Sequence, residues 1–372
     1  MEAQDILKDV PFILLYGGVI MLSVVAALYL LFRRGNAIAP EVKSPLRLRR
    51  WAAAFMMASA ISHVCWLFYA FYPTSTVYSI VCSLDLLMLF PSIAGILVSM
   101  LQDRHRPVWS VLVALVPAFL LLAICIIKDD DALYLPLSIY VIALYASILL
   151  YMFFAVRKYG RWLRDNYADL ENKEVWQSLI FLALFLLFFV MYSSTSAGSP
   201  VLVYILQIDC IILVALLLWR VETLQELSEI TAPEAAPGKQ EQEHPQGKKA
   251  TASTQPAAPT KIGTLLKKHC ENKQLYLQND LSLTQLANAI GTNRTYLSHH
   301  FAQQGITYNA YINGLRIRHF ISLYHKATAE HREFTAQQLA FESGYHSYST
   351  FIAAFKQHTG KTVTAWMRDQ AE

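Results

Sequence analysis

The chain has 372 residues, of which 55% are hydrophobic and 16% charged, and its formal net charge is +4. Soluble domains usually carry about a quarter charged residues, so the composition excludes an ordinary soluble protein along the whole length. The five cysteines show neither CxxC pairs nor metal-ligand spacing, which argues against a disulfide framework and a zinc site. We predict no metal and no cofactor.

The first 219 residues contain long apolar runs. Crossing the ~30 Å hydrocarbon core of a membrane takes about 20 apolar residues, and seven runs reach that length. The sequence therefore predicts a seven-helix transmembrane bundle in a lipid bilayer, within residues 1–225. The predicted spans are Val10–Phe32, Trp51–Tyr72, Val77–Leu101, Val108–Ile127, Leu133–Val156, Trp176–Ser196 and Pro200–Trp219.

Positive residues are distributed unevenly between the two sides of these spans. The loops after the first, third and fifth runs, with Arg220 after the seventh, hold 14 Lys and Arg, whereas the other side holds only Lys8 and Lys128. Positive loops stay in the cytoplasm. We therefore expect a multi-pass protein of the inner (cytoplasmic) membrane, with its N-terminus outside and its C-terminus in the cytoplasm.

Three ionisable residues stand inside the predicted spans at one depth: His63, Asp85 and Asp209. Such residues are costly in a membrane and usually face the bundle interior. One interpretation is an intramembrane sensing site for a proton, a small ligand or a partner protein. The other is a structural His–Asp hydrogen-bond cluster that fixes the packing of the helices.

Two enzyme or pigment interpretations of this bundle are weaker. A retinal protein needs a lysine in its last span, but the chain has no lysine between Lys173 and Lys239. An intramembrane aspartyl protease carries GxGD, whereas Asp85 and Asp209 stand in CSLDLL and LQIDCI. We predict that the protein is not an enzyme.

A polar segment follows the bundle. Val221, Leu224, Leu227 and Ile230 recur every three residues, which predicts that the last helix extends a few turns beyond the membrane. Residues 226–260, rich in Pro, Ala, Gln, Lys and Glu after that extension, are predicted to be a disordered linker. Such a linker transmits torque poorly, so self-association, docking or release would have to carry a signal.

Residues 261–372 are predicted to form a second all-α domain. It holds 12 Lys and Arg against 7 Asp and Glu, with eight of the 11 histidines. Two copies of one pattern occur there: a capping box, a short helix, a glycine turn and a capped second helix, which is the helix-turn-helix layout. The first copy has Ser282–Gln285, Gly291, Asn293 and Gly305. The second has Thr335–Gln338, Gly344, Ser347 and Gly360.

These copies and the segment between them resemble a known family. The stretches LTQLANAIGTNRTYLSHHFAQQG, YINGLRIRHF and QQLAFESGYHSYSTFIAAFKQHTG are similar to the DNA-binding domain of the AraC/XylS family of bacterial transcription regulators. The resemblance covers residues 262–368 and none of the spans. It implies two recognition helices that enter successive major-groove segments of double-stranded promoter DNA. The combination of such a domain with a seven-helix bundle is similar to membrane-bound members of that family.

The resemblance also implies a set of contact residues. Thr295, Ser298 and His299 in the first recognition helix would face base edges, as would Ser349 and Ala353 in the second, beside Tyr348 at the groove wall. Arg294 and Lys356 are candidates for phosphates. His299 and Ala353 stand where the family often has arginine, Phe320 replaces a usually small residue, and Val363 replaces a usual proline.

The sequence therefore predicts a membrane-embedded, one-component transcription regulator that acts on promoter DNA, with a homodimer as a possible assembly. The alternative is a membrane receptor or transporter whose tail is a protein-docking module. The basic surplus and the two recognition helices favour the first interpretation.

Overall fold

The computed structural model describes residues 9–128, 134–170, 172–194, 200–227 and 259–371. All regular secondary structure in these ranges is helical, which confirms the predicted all-α class. The chain divides into two compact units, one of residues 1–160 with 172–232 and one of residues 161–171 with 233–372. Most of the predicted linker, residues 228–258, lies outside the described ranges.

The first unit is built from apolar helices. In chain order they are α1 (Val10–Phe32), α2 (Leu46–Phe71), α3 (Ser75–Met100), α4 (Trp109–Lys128), α5 (Tyr134–Asn166), α6 (Gln177–Ser194) and α7 (Pro200–Thr223). The last six residues of α5, 161–166, belong to the second unit.

Five of these helices are long and apolar enough to cross a membrane: α1, α2, α3, α5 and α7. Helices α4 and α6 are apolar but have shorter described apolar stretches, Trp109–Cys125 and Gln177–Leu187. Because a span needs about 20 residues, crossing by α4 and α6 stays a prediction.

Helix α2 packs against both α1 and α3. The contact with α3 depends on Gly95, because a Cβ atom there would lie 2.2 Å from the indole ring of Trp51. A glycine thus provides the flat surface on which the tryptophan rests, and small residues commonly allow such close helix packing in membranes.

A buried carboxylate joins the first and last helices of this unit. Glu222 in α7 accepts hydrogen bonds from Arg33 Nη1 at 2.7 Å and from the backbone N–H groups of Ala37 and Ile38 at 3.0 and 2.6 Å, as well as from the Tyr29 hydroxyl. The Arg33 and Glu222 side chains are 3% and 2% exposed. The several donors compensate the carboxylate for its lost hydration.

The last helix continues only one turn past the predicted span, to Thr223, rather than the few turns expected, and Ile230 of the repeat lies outside the described residues. Helix α7 ends at Thr223: Leu224 N still donates to Arg220 O at 3.0 Å, but the two N–H groups after it bond to loops. Gln225 N donates to Asn172 O at 2.9 Å, and Glu226 N donates to Lys43 O at 2.7 Å. Leu224, part of the three-residue repeat, is fully buried within its own chain, so it offers no surface for self-association.

The second unit contains the C-terminal domain. Its further helices are α8 (Pro259–Leu266), which runs into a π turn at Lys267–Glu271, α9 (Leu283–Ile290), α10 (Arg294–Gln303), α11 (Tyr308–Ala329), α12 (Ala336–Glu342), α13 (Tyr348–Thr359) and α14 (Val363–Ala371).

Helix α11 belongs to two hydrophobic cores. Its first half, with Tyr308, Ile312 and Leu315, packs with α8, α9 and α10. Its second half, with Ile317 and Phe320, packs with α12, α13 and α14. One continuous helix therefore fixes the two helix-turn-helix units relative to each other.

The unusual Phe320 is accommodated by aromatic neighbours. Its ring lies 4.5 Å from that of Phe351 and 5.6 Å from that of Phe355. Val363 is buried at the start of α14. Both departures from the family pattern thus belong to the core of the second helix-turn-helix unit.

Candidate nucleic-acid interface

The first helix-turn-helix unit forms at the predicted residues. The capping box at Ser282 is complete, since its Oγ accepts from Gln285 N at 3.2 Å while the Gln285 side chain accepts from Ser282 N at 2.9 Å. Gly291 ends α9 with a φ of 74°, a conformation that costs other residues free energy. Asn293 then caps α10 by accepting from Tyr296 N at 2.9 Å.

The second unit repeats this layout with one difference. Thr335 accepts from Gln338 N at 3.1 Å, but the Gln338 side chain donates to Glu342 at 3.2 Å rather than bonding back to the cap. The predicted second capping box is therefore half formed. Gly344 makes the turn, and Ser347 caps α13 by accepting from Thr350 N at 3.3 Å.

The predicted base-facing residues of α10 lie on its exposed side. Thr295, Ser298 and His299 are exposed, whereas Leu297 is fully buried in the first core. His300, next to His299, is 8% exposed, contacts the Gln304 amide at 3.1 Å, and has its pKa lowered by burial. The two adjacent histidines thus differ: His299 is available to a partner and His300 is part of the packing.

Helix α13 likewise has an exposed face and a buried face. Ser349, Ala353 and Lys356 are exposed, and Phe351 and Phe355 are buried in the second core. Tyr348 is half-buried, with its ring stacked on Phe351 at 5.8 Å. Apart from Tyr348, every residue assigned to base edges or phosphates in this helix is accessible.

A buried arginine supports α11, the helix that joins the two helix-turn-helix units. Arg316 in α11 is 1% exposed, and it donates to Tyr276 O and to Gln278 O, both at 2.8 Å. Burial lowers its pKa, while nearby Tyr345 and Asp169 raise it. Arg316 is therefore a structural residue and not a DNA contact.

Sequence reasoning missed a segment outside the C-terminal domain that touches a predicted contact. Arg294 is exposed as a residue, but its Nε donates to Asn166 Oδ1 at 2.9 Å. Asn166 belongs to residues 161–171, which are part of the second unit. The only available signal was the polar composition of that stretch, which is also typical of a solvated loop.

The three residues assigned to intramembrane sensing are all buried in the first unit, with 3–7% exposure. The ring nitrogens of His63 bond to Ser59 O at 2.7 Å and to Gln207 Oε1 at 3.1 Å. Asp85 accepts from Trp66 Nε1 at 2.7 Å. Asp209 Oδ2 is buried without a hydrogen-bond partner among the described residues. Both ring nitrogens of His63 thus contact Ser59 and Gln207. Neither contacts an aspartate, as the interpretation of a structural His–Asp hydrogen-bond cluster required.

Sequence reasoning also missed Tyr16, Trp66 and Gln207 beside these residues. The Tyr16 hydroxyl donates to His63 O at 2.6 Å, and its ring lies 5.0 Å from the imidazole. Gln207 stands two residues before Asp209 in the same span. A polar amide inside an apolar run is itself a signal of this kind, and it could have found Gln207.

Comparison with known proteins agrees with the geometry of the C-terminal domain. Residues 286–369 match the model of a family described as a helix-turn-helix domain, of the AraC type. The match begins in α9 and ends in α14, so it includes both recognition helices and none of the apolar helices of the first unit.

Curated relatives match the same region. Over 102 residues the chain is 28% identical to an uncharacterized HTH-type transcriptional regulator of Staphylococcus aureus strain MRSA252, and 26% identical to one of strain COL. The aligned part is 27% of this chain and only 13% of either relative. No solved structure matches the chain.

Proposed function

We propose that this protein is a one-component transcription regulator of the inner membrane, which senses a signal in its helix bundle and binds promoter DNA in the cytoplasm. The observation that carries the proposal is the pair of recognition helices, α10 and α13, each with a polar, exposed face and an apolar, buried one. The positive surplus of the surrounding domain suits a polyanion.

The expected contacts divide into two kinds. Arg294, Lys356 and the N-terminal amides of both recognition helices would position the domain on phosphates. Ser298 and His299 can exchange hydrogen bonds with base edges, whereas Ala353 can contact only a thymine methyl group. Since arginine at guanine is the commonest specific contact, replacing it by His299 and Ala353 would give a different target preference.

In this proposal all seven apolar helices, α1 to α7, cross the membrane. The 14 positive residues on one side against two on the other support a topology with the N-terminus outside and the C-terminal domain in the cytoplasm. Promoter DNA is then within reach of the domain without its release from the membrane.

The sensing site in this proposal consists of His63, Asp85 and Asp209, joined by Trp66 and Gln207. Ser59 O can only accept, so His63 Nδ1 carries a proton. If Gln207 Oε1 also accepts from Nε2, the imidazole is doubly protonated. If the imidazole is neutral, the Gln207 amide is flipped, so that its NH₂ group donates to Nε2. A proton or a small polar ligand could therefore change the hydrogen bonds here, and self-association could accompany that change.

The test is a genome-wide map of DNA bound by the full-length protein in its own cells. We expect discrete sites that share a sequence motif, and we expect Ser298→Ala with Ser349→Ala to remove them while the protein stays in the membrane. A matched control is Ser110→Ala, far from the recognition helices in sequence. Enrichment without any shared motif, unchanged by the double variant, would favour a protein-docking tail instead.

A further inference from the structure

Four consecutive residues outside the C-terminal domain are buried within the second unit. Asn166, Tyr167, Ala168 and Asp169 have side chains that are 4%, 6%, 1% and 4% exposed. Ala168 belongs to the hydrophobic core of the first helix-turn-helix unit, together with Leu281 and Leu283. We call residues 166–169 the docking segment. Its neighbour Asp165 is exposed.

The docking segment pairs with the domain through its backbone. Tyr167 forms an isolated antiparallel bridge with Ser282, the cap of α9. Ala168 N donates to Leu281 O at 3.4 Å, and Asn309 Nδ2 donates to Ala168 O at 2.6 Å and to Tyr167 O at 3.3 Å. Backbone pairing of an extended segment is a common way for a domain to bind a peptide.

One polar side chain of the segment contacts an arginine, and another acts electrostatically on a second arginine. Asn166 Oδ1 accepts from Arg294 Nε at 2.9 Å. Asp169 raises the pKa of Arg316, which burial lowers, so its carboxylate contributes to balancing a buried positive charge. One of these arginines, Arg294, is also the predicted phosphate contact of the first recognition helix.

The docking segment lies between two apolar helices in the chain. It begins at the last residue of α5 and precedes α6. The segment therefore follows the predicted fifth span directly in the chain, whereas residues 224–258 separate the predicted seventh span from α8 of the C-terminal domain.

We propose that the docking segment is an intramolecular ligand of the first helix-turn-helix unit, and that duplex DNA and the segment oppose each other by competing for Arg294. The inference rests on the proposed DNA-binding function. A phosphate is a stronger partner for a guanidinium than an amide oxygen, so DNA can displace Asn166. By linkage, bound DNA must loosen the segment by the same factor by which the docked segment weakens DNA binding.

The first experiment measures docking without DNA. Hydrogen–deuterium exchange of the full-length protein in lipid nanodiscs should show protected amides in residues 166–169; the Ala168 amide reports docking, because it donates to Leu281 O, whereas Tyr167 N donates to Leu163 O at the end of α5. Asp169→Asn and Asn309→Ala should each raise their exchange by about fivefold to tenfold, the effect of losing one or two modest hydrogen bonds. Asp165→Asn removes the same charge from an exposed position and should leave exchange unchanged.

The second experiment measures competition. Full-length protein in nanodiscs is titrated with a pool of random-sequence duplexes at fixed salt. Asp169→Asn and Asn309→Ala should bind the pool about fivefold more tightly than wild type, and Asp165→Asn should bind like wild type. Saturating wild type with the pool should raise exchange in residues 166–169.

The outcomes separate the two proposals. Amides 166–169 that exchange as fast as an unfolded peptide would overturn the docking, even if DNA binds. If the amides are protected but wild type and the three variants bind DNA with equal affinity, the competition is overturned. A failure of every protein to bind any duplex would defeat the proposed function and the competition with it, and leave only the docked segment.

Discussion

Gly344 lies so close to Leu277 that no side chain fits between them. A Cβ atom at Gly344 would be 2.7 Å from both the Cα and the carbonyl oxygen of Leu277, and the glycine has a φ of 87°. Gly344 forms the turn of the second helix-turn-helix unit, and Leu277 ends the short 3-10 helix Leu275–Leu277 before the first. The turn between α12 and α13 therefore rests directly on backbone.

This contact predicts the cost of an added methyl group. Gly344→Ala should destabilise the C-terminal domain by about 2–4 kcal/mol, from the positive φ and the backbone clash together. Gly360→Ala is the matched control, because its φ is 74° but a Cβ there would meet nothing within 4 Å, and it should cost only about 1 kcal/mol. Native-state hydrogen exchange of the buried Phe355 amide measures both. Equal losses of unfolding free energy in the two variants would show that the turn can move away from Leu277.

Different substitutions in α10 should have different effects on DNA binding. Arg294→Ala should weaken binding to all sequences and reduce the slope of log K against log salt concentration by about one. His299→Ala should instead change preference at particular bases, by ~1–3 kcal/mol where a good contact exists. His300→Ala is the control, because His300 is buried, and it should lower stability without changing preference. Binding titrations with specific and random duplexes distinguish these results, and identical effects on both kinds of DNA would contradict the assignment of the recognition helix.

The charge bias predicts the topology of the chain. A reporter enzyme that is active only outside the cytoplasm should be silent when fused after Glu372 and active when fused before Met1 with its own export signal. Fusions in the loop between α3 and α4 should be silent, like those at the C-terminus. Activity at the C-terminus would mean an even number of spans or an inverted orientation, and in either case the DNA-binding proposal would fall.

The buried carboxylates of the first unit should matter for signalling. Asp85→Asn and Asp209→Asn keep most of the side-chain shape, so we expect normal protein levels and insertion but output from a target promoter that no longer responds to the stimulus. Trp66→Phe, which removes the donor to Asp85, should have part of the effect of Asp85→Asn. Quantified membrane protein and a promoter reporter give the comparison. Normal regulation in all three variants would reduce these residues to packing.

The thiol of Cys270 should resist alkylation in the folded protein. It is fully buried, and burial raises its pKa to about 12. Because the folded pKa lies above the unfolded one, the neutral thiol stabilises the domain below about pH 9, and this contribution is lost as the pH rises toward 12. Peptide mapping after iodoacetamide at pH 8 should find Cys270 unmodified until denaturant unfolds the domain. If Cys270 in the folded protein is modified as fast as an exposed free thiol, the first core opens locally.

Local chemistry made much of the C-terminal domain predictable. Ser282, Asn293 and Ser347 cap helices as predicted, and Gly291 and Gly360 adopt the positive φ expected after a helix. These features depend on residues only a few positions apart. The helix class of the apolar runs followed from their length and hydropathy in the same way.

Contacts between distant residues were not predictable. The three-residue repeat around Leu224 is compatible with a helix, but hydrogen bonds to Lys43 and Asn172 end it. Likewise, nothing near Asn166 in sequence indicates that its partner is Arg294, 128 positions away. The partners of His63 were missed for the same reason, because Gln207 lies on another helix 144 positions later.

The carboxylate of Glu222 has a consequence for the order of assembly. Its partner Arg33 precedes it by 189 positions, so at about 5–20 residues per second a ribosome makes the acceptor ~10–40 s after the donors. Until then, Arg33 and the backbone N–H groups of Ala37 and Ile38 must be satisfied by water. A chain interrupted before α7 would leave these donors without their carboxylate, and the incomplete protein would expose a polar loop to proteases.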